Sequence, residues 1–150
     1  MAIRDFVSLD TIGWELTGTT RDDVLKELVA LLSLEDHSGE ILFKMLQRVE
    51  RLTPTGIGRG IAMPHTRSIA MGETRLVFGR RPDGVDFYAR DGEPVRYFFM
   101  VVGPPLESTN ELMPLLGQVA TLVQQHDLSE RLDQLETPAQ LLQFLQEVVL

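Results

Sequence analysis

A continuous apolar segment in the second half of the chain most restricts the folds that it can adopt. Residues 98–102 are all apolar, and Gly103 and two prolines follow them directly. An apolar run without alternation is typical of a strand that is covered on both faces, whereas a strand with one wet face alternates. The segment therefore predicts a central strand over Val95 to Val102.

The regions before and after this strand have the spacing of amphipathic helices. Apolar residues recur there every three or four positions, which places them on one face of a helix. Thr137, followed by Pro138 and Gln140, indicates a capping box at a helix start, and Pro114 fits only within a first helical turn. The predicted helices cover residues 21–33, 38–51, 112–123, 128–135 and a last segment that begins after Thr137.

Shorter strands complete the predicted sheet. The order of one strand, two helices, several strands and three helices predicts an α/β fold, a three-layer α/β/α sandwich around a mixed sheet. With 150 residues and no linker or repeat, residues 1–150 are expected to form a single domain. The shorter strands are predicted at Phe6–Leu9, Gly60–Pro64, Thr74–Gly79 and Val85–Phe87, with a turn at Arg81–Gly84.

The composition excludes several classes of function. The chain has no cysteine, so disulfides, thiol nucleophiles and zinc ribbons are excluded. A net charge of −8 without a basic stripe argues against nucleic-acid binding. No apolar run approaches the roughly 20 residues that cross a bilayer, and the first residues lack a signal-peptide core. We therefore expect a soluble, cytoplasmic protein without membrane insertion.

The candidate site is a glycine-rich segment that leads into a strand and ends in Pro64 and His65. Pro64 fixes its own φ and pushes Met63 into an extended conformation, so the strand direction decides where His65 points. A neutral imidazole is a nucleophile that forms covalent adducts, and glycine amides can form an anion-binding concavity. A tight turn and a structural histidine are the alternative interpretations. The P-loop and Rossmann spacings are absent, so nucleotide binding is not indicated.

The other two histidines, His37 and His126, are expected at the surface. His37 lies between two predicted helices, and His126 follows a predicted helix end, where a cation suits the helix dipole. A three-histidine metal site would require three distant loops to converge. We therefore expect no metal.

The residues of the candidate site resemble a known signature. They are similar to the active-site signature of enzyme IIA of the phosphoenolpyruvate:sugar phosphotransferase system, fructose/mannitol type, which includes the nitrogen-regulatory enzyme IIA. The similarity extends over nearly the whole chain. The signature residues are Glu50, Leu52, Thr55, Gly58 and Ile61–His65. Outside the signature, the similarity lies in Gly84–Phe87 and Asp91–Val95.

This resemblance implies an α/β/α sandwich with a mixed sheet and a phosphoryl-carrier function. His65 would accept a phosphoryl group from the phosphohistidine of HPr or its nitrogen-branch counterpart. The group would then pass to a cysteine of a IIB domain, or its presence would control binding to regulatory protein targets. A phosphohistidine carries about two negative charges, and no cofactor is implied. The supporting residues would be Thr55, Gly56, Gly58, Arg59, Arg67 and Asn110.

Two positions depart from the family pattern. Val49, on the apolar seam of its helix, stands where the family has an arginine, and Arg48 and Arg51 leave the helix on other faces. Asn110 stands where classical members carry a second histidine, and an amide cannot carry the charge of an imidazolium. Both departures count against sugar transport more than against the fold. A non-catalytic, regulatory protein-binding module on the same fold is therefore the alternative.

Overall fold

The computed structural model describes residues 2–106 and 110–148, and it shows a mixed sheet with helices packed on both faces. Two short 3₁₀ turns, Ile3–Phe6 and Leu9–Thr11, come first. The elements that follow in chain order are β1 (Ile12–Gly13), α1 (Arg21–Ala30), α2 (Asp36–Leu52), β2 (Gly56–Gly58), β3 (Ile61–Ala62), β4 (His65–Arg67), β5 (Arg75–Val85), β6 (Val95–Gly103), α3 (Leu112–Val123), α4 (Leu128–Asp133) and α5 (Pro138–Glu147).

The predicted central strand is confirmed as β6, which has neighbours on both sides. It runs antiparallel to β5 and parallel to β3 and β4, which lie one after the other along its second edge. β1 lies parallel to β5, and β2 closes the other end of the sheet as the antiparallel partner of β3. Parallel and antiparallel pairs therefore occur together, which confirms the predicted mixed sheet.

The side chains of β6 alternate between two hydrophobic cores. Those at even positions pack beneath α1 and α2, and those at odd positions pack beneath α3, α4 and α5. Burying a phenylalanine side chain is worth about 1.5–3 kcal/mol, so the strand stabilises both layers. This arrangement confirms the three-layer sandwich. The even set is Phe98, Met100 and Val102, and the odd set is Tyr97, Phe99 and Val101.

The prediction of a first strand at Phe6–Leu9 was wrong. Local side-chain bonds divert this segment into turns: the Asp5 carboxylate accepts the N–H of Ala2, and the Thr11 hydroxyl accepts the N–H of Ser8. Bonds of this kind satisfy backbone groups that a sheet would otherwise pair. The first strand begins only at Ile12, beside Phe78 of β5.

The turn predicted at Arg81–Gly84 does not end the strand. β5 continues through it to Val85, which pairs with Val95, and the register shifts between Arg80 and Val85. Gly84 has a φ of +77° there, so its conformational freedom serves a bulge inside the strand.

The helix predictions are confirmed, with shifts at the ends. α1 ends at Ala30, and α2 begins earlier than expected because the Glu35 carboxylate accepts the N–H of Ser38. At the start of α5 only half of the predicted capping box forms. The Thr137 hydroxyl accepts the N–H of Gln140, but the Gln140 side chain bonds to the N–H of Glu136. Within residues 2–106 and 110–148, no helix is long and apolar enough to cross a bilayer.

Candidate functional site

The glycine-rich segment forms a hairpin from β2 and β3. Met63 donates its N–H to the carbonyl of Thr55, 3.1 Å away, at the open end. Arg59 and Gly60 make the turn at the closed end with φ of +57° and +78°. Gly56 is required by close packing, since a Cβ there would lie 2.9 Å from the backbone of Ala89. The segment is therefore a paired hairpin, and anion binding by its glycine amides stays a prediction.

His65 is the first residue of β4, and its ring is half-buried. It pairs in register with Val101 of β6, whose side chain packs beneath α3 to α5, so the imidazole lies on that face of the sheet. Its Nδ1 is 2.8 Å from the carbonyl oxygen of Met63. Because a carbonyl can only accept, Nδ1 carries the proton and Nε2 keeps a lone pair. The contact thus leaves the lone pair of Nε2 available.

Glu50 is a buried acid next to the open end of the hairpin. Its side chain is 1% exposed. Its carboxylate accepts the N–H of Thr55 at 3.0 Å and also the Thr55 hydroxyl. Burial raises the pKa of Glu50, while the two bonds from Thr55 and the charges of Arg21 and His65 act in the opposite direction. His65 and Glu50 are therefore close enough for their charges to interact.

The burial of Glu50 corrects the predicted seam of α2. The fully enclosed positions are Leu42, Leu46 and Glu50, four residues apart, while Val49 is only half-buried. Glu50 is part of the family signature, but the sequence alone indicated no role for it. Its position four residues after Leu46 was the signal that an acid lies on the buried face of the helix.

The far end of β4 adds a positive charge and a helix start to the same edge of the sheet. Arg67 lies on the same face as His65, and its Nη1 donates to the carbonyl of Pro104 at 2.9 Å. A Cβ on Gly103 would lie 2.7 Å from Cδ1 of Leu112, so α3 begins against the end of β6. Asn110 is exposed and lies two residues before α3. The positive end of the α3 dipole is thus at this edge.

Arg59 and Gly58 lie at the other end of the hairpin, apart from His65. Ile61 pairs with Tyr97 and His65 pairs with Val101, four residues along β6 or about 13 Å. Arg59 donates its N–H to Asp91 at 3.0 Å and its Nη2 to the carbonyl of Val123 at 3.0 Å. The side chain and amide of Arg59 therefore hold the closed end of the hairpin, and support of His65 by Arg59 stays a prediction that these bonds do not favour.

Arg48 and Arg51, near the end of α2, are exposed. Arg51 contacts Asp22 at 3.5 Å. Sequence reasoning missed Arg21, the first residue of α1, whose charge acts on Glu50 and whose guanidinium lies 4.3 Å from the ring centre of Tyr88. Only tertiary packing brings it there, so no local pattern could have indicated it.

The two remaining histidines, His37 and His126, are exposed, as predicted. In the part of the chain that the structure describes, no group of three His, Asp or Glu side chains is arranged to hold a metal ion.

Comparison with known proteins agrees with the fold. The family model described as "Phosphoenolpyruvate-dependent sugar phosphotransferase system, EIIA 2" matches residues 5–148. A nitrogen regulatory protein of Pseudomonas aeruginosa is 31% identical over 133 residues, which are 87% of this chain and 86% of that protein.

Two further matches are a longer protein that contains a similar region and a solved structure that this chain covers almost completely. The fructose-specific EIIABC component of Bacillus subtilis is 27% identical over 142 residues, 91% of this chain but only 22% of that longer protein. The crystal structure of the nitrogen regulatory protein IIA-Ntr of Neisseria meningitidis superposes with a TM-score of 0.84 at 27% identity. That superposition covers 95% of this chain and 98% of the Neisseria chain.

Proposed function

The chain belongs to the EIIA 2 family of the phosphoenolpyruvate-dependent sugar phosphotransferase system, and from this premise we propose that His65 is the residue that carries the phosphoryl group. The family membership gives a phosphoryl-carrier role and phosphotransferase activity in general. The observation that carries the assignment to His65 is the 2.8 Å contact between its Nδ1 and the carbonyl of Met63. That contact leaves the lone pair of Nε2 available for attack.

The transfer follows from this geometry. The Nε2 lone pair attacks the phosphorus of a donor phosphohistidine, and a new N–P bond forms as the donor N–P bond breaks. The electron pair of the broken bond returns to the donor imidazole. As Nε2 binds phosphorus, the ring gains positive charge, which the Nδ1–H bond to the carbonyl of Met63 stabilises. Such a reaction needs positioning and charge stabilisation more than other chemistry.

The negative charge of the bound phosphoryl group is stabilised at the edge of the sheet that carries Arg67. Arg67 and the start of α3 supply positive charge there, and Asn110, which precedes α3, supplies an amide donor. Thr55 contributes through its position, because its hydroxyl donates to Glu50. Gly56 lets the open end of the hairpin pack closely against Ala89.

The partner that delivers the phosphoryl group is an HPr-type phosphocarrier protein in this proposal. Exposed apolar side chains lie on the segments that lead into and out of the site. They are Leu52 at the end of α2, Ile69 after β4, Leu106 after β6 and Met113 in the first turn of α3. Their exposed fractions run from 56% to 91%. Large apolar side chains exposed beside polar groups are typical of a protein-docking surface.

The downstream role is proposed to be regulatory, in a nitrogen branch. The Pseudomonas relative bears the name nitrogen regulatory protein and is covered over 86% of its length. The Bacillus relative is a longer, fructose-specific protein in which the matched region is a small part. A IIB domain is the acceptor in the sugar-transport form of this proposal, and regulatory protein targets are the partners in the nitrogen form.

The test is a phosphorylation assay with phosphoenolpyruvate, enzyme I and a phosphocarrier. The unaltered protein is expected to gain about 80 Da, one phosphoryl group, and His65→Ala is expected to gain nothing. His126→Ala, a change at an exposed histidine, is the matched control and is expected to react normally. A protein that gains no mass, or a gain that survives His65→Ala, would refute the assignment.

A second candidate is a non-catalytic binding module on the same fold. It is favoured by the surroundings of α2, where Val49 replaces the family's arginine and Arg51 contacts Asp22 instead. This candidate requires partner binding that does not change with phosphorylation or with His65→Ala. A pull-down in which either changes the set of partners would exclude it.

A further inference from the structure

We propose that Glu50 is a positioning residue, which holds His65 in its nucleophilic tautomer through Thr55 and Met63. The proposal rests on the proposed function of His65. Glu50 does not contact the reacting atoms in this scheme. It acts through a series of contacts that runs from the end of α2 across the open end of the hairpin to the imidazole ring.

The first contact in the series joins Glu50 to Thr55. Both carboxylate oxygens are used, one by the N–H of Thr55 and the other by its hydroxyl. Both residues are buried, at 1% and 7% exposure. In a buried site an unmade bond of this kind is costly. The pair therefore fixes the position of Thr55 relative to α2.

The second and third contacts carry that position to the ring. The carbonyl of Thr55 accepts the N–H of Met63, and the carbonyl of Met63 accepts the Nδ1–H of His65. Pro64, between them, has a restricted φ and no N–H, so the carbonyl of Met63 has little freedom to turn. A displacement of Thr55 is therefore passed to the acceptor that selects the tautomer of His65.

The charge of Glu50 argues against a direct role in holding the phosphoryl group. A carboxylate and a phosphoryl group repel each other, whereas the positive charge of Arg21 stabilises the ionised carboxylate. What the site uses is the pair of bonds between Glu50 and Thr55. A neutral amide can reproduce both, because its oxygen can accept the N–H of Thr55 and its NH2 group can donate to the Thr55 hydroxyl. Glutamine at this position is consequently the conservative replacement, and leucine is the replacement that keeps the volume but removes both acceptors.

The experiment measures the tautomer of His65 by long-range ¹H–¹⁵N correlation NMR of the unphosphorylated protein, together with its phosphorylation rate. The unaltered protein is expected to show Nδ1–H. Glu50→Leu is expected to shift His65 toward Nε2–H and to lower the rate on the order of tenfold to a hundredfold. Glu50→Gln is expected to retain the Nδ1–H tautomer and most of the rate.

Asp91→Ala is the matched control. It removes a carboxylate that accepts a backbone N–H on the same hairpin, but at the closed end, from Arg59. Neither the tautomer nor the rate is expected to change. If Glu50→Leu does not fold, Thr55→Val takes its place, since it removes only the hydroxyl bond and is expected to change both readouts in the same direction by less.

The outcomes separate this proposal from the proposed function. A folded Glu50→Leu protein, or Thr55→Val in its place, with the unaltered tautomer would overturn the positioning role, and so would a Glu50→Gln protein as impaired as Glu50→Leu. If the unaltered protein accepts no phosphoryl group, the proposed function fails. The NMR measurement would in that case still decide whether Glu50 sets the tautomer.

Discussion

The two ends of the β2–β3 hairpin are held by the same kind of bond in opposite surroundings. At the closed end the Asp91 carboxylate accepts the N–H of Arg59 at the surface, and at the open end the Glu50 carboxylate accepts the N–H of Thr55 in the interior. The bonds from the N–H groups of Arg59 and Glu93 lower the pKa of Asp91, whereas burial raises the pKa of Glu50.

The two bonds differ in the free energy that it costs to remove the carboxylate from water. An exposed carboxylate that caps a turn loses little hydration, but a buried carboxylate must have every partner in place. The buried pair lies beside His65 and the exposed pair lies far from it. Of these two acids, the buried one therefore lies at the end of the hairpin that carries the proposed chemistry.

The largest expected contrast between the two ends is in the phosphorylation rate. Arg67→Ala removes a positive charge from the edge that carries His65, and we expect a rate lower on the order of a hundredfold, as for loss of one charge-stabilising donor. Arg59→Ala, at the closed end, is expected to leave the rate per folded molecule within about threefold of the unaltered value. The initial rate of mass gain under limiting phosphocarrier measures both. Equal losses in the two variants would show that the ends do not differ as described.

A smaller contrast is expected in stability. Glu50→Leu leaves the N–H and hydroxyl of Thr55 without acceptors in a buried site, which we expect to cost about 2–3 kcal/mol of unfolding free energy. Asp91→Ala exposes its former partner to water and is expected to leave the urea midpoint close to the unaltered value. Urea titrations followed by circular dichroism compare them. A Glu50→Leu midpoint equal to that of Asp91→Ala would mean that burial does not distinguish the two bonds.

The smallest contrast is in the pH dependence of stability. The pKa of Glu50 in the folded protein is raised above its ordinary 4.5, so its contribution to stability is fully present below that value. The contribution is lost as pH rises through the folded pKa. Asp91 has a lowered pKa, so its contribution is present above 3.8 and is lost as pH falls.

Urea midpoints between about pH 2 and pH 8 test both signs. As pH rises above 4.5, the unaltered protein is expected to lose stability relative to Glu50→Gln. As pH rises toward 3.8 from below, the unaltered protein is expected to gain stability relative to Asp91→Asn. Parallel slopes for the two pairs would contradict the assigned directions.

Much of the architecture could be predicted because its signals are local. The apolar run at 98–102 predicted the central strand, and the helical spacing before and after it predicted two helical layers. The predictions failed where tertiary contacts competed with local preference. Phe6–Leu9 has the composition of a strand but forms turns, and the turn residues at Arg81–Gly84 are absorbed as a bulge in β5.

The candidate site was predicted less completely. His65, Arg67 and Thr55 lie on connected segments that the structure keeps at one end of the hairpin, whereas Arg59 lies close in sequence but is directed to Val123. Glu50 was visible in the signature without a role, because nothing in its neighbourhood along the chain shows that it bonds to Thr55 while buried.

The sequence by itself determined the layer order, the central strand and the identity of the candidate nucleophile, because periodicity and the Pro-His pair act over a few neighbouring residues. Only the tertiary structure decided which nitrogen of His65 is free, which cations lie near it and that Glu50 is buried. Those properties depend on contacts between segments that are distant in the sequence, and on the low dielectric constant that burial by such contacts creates.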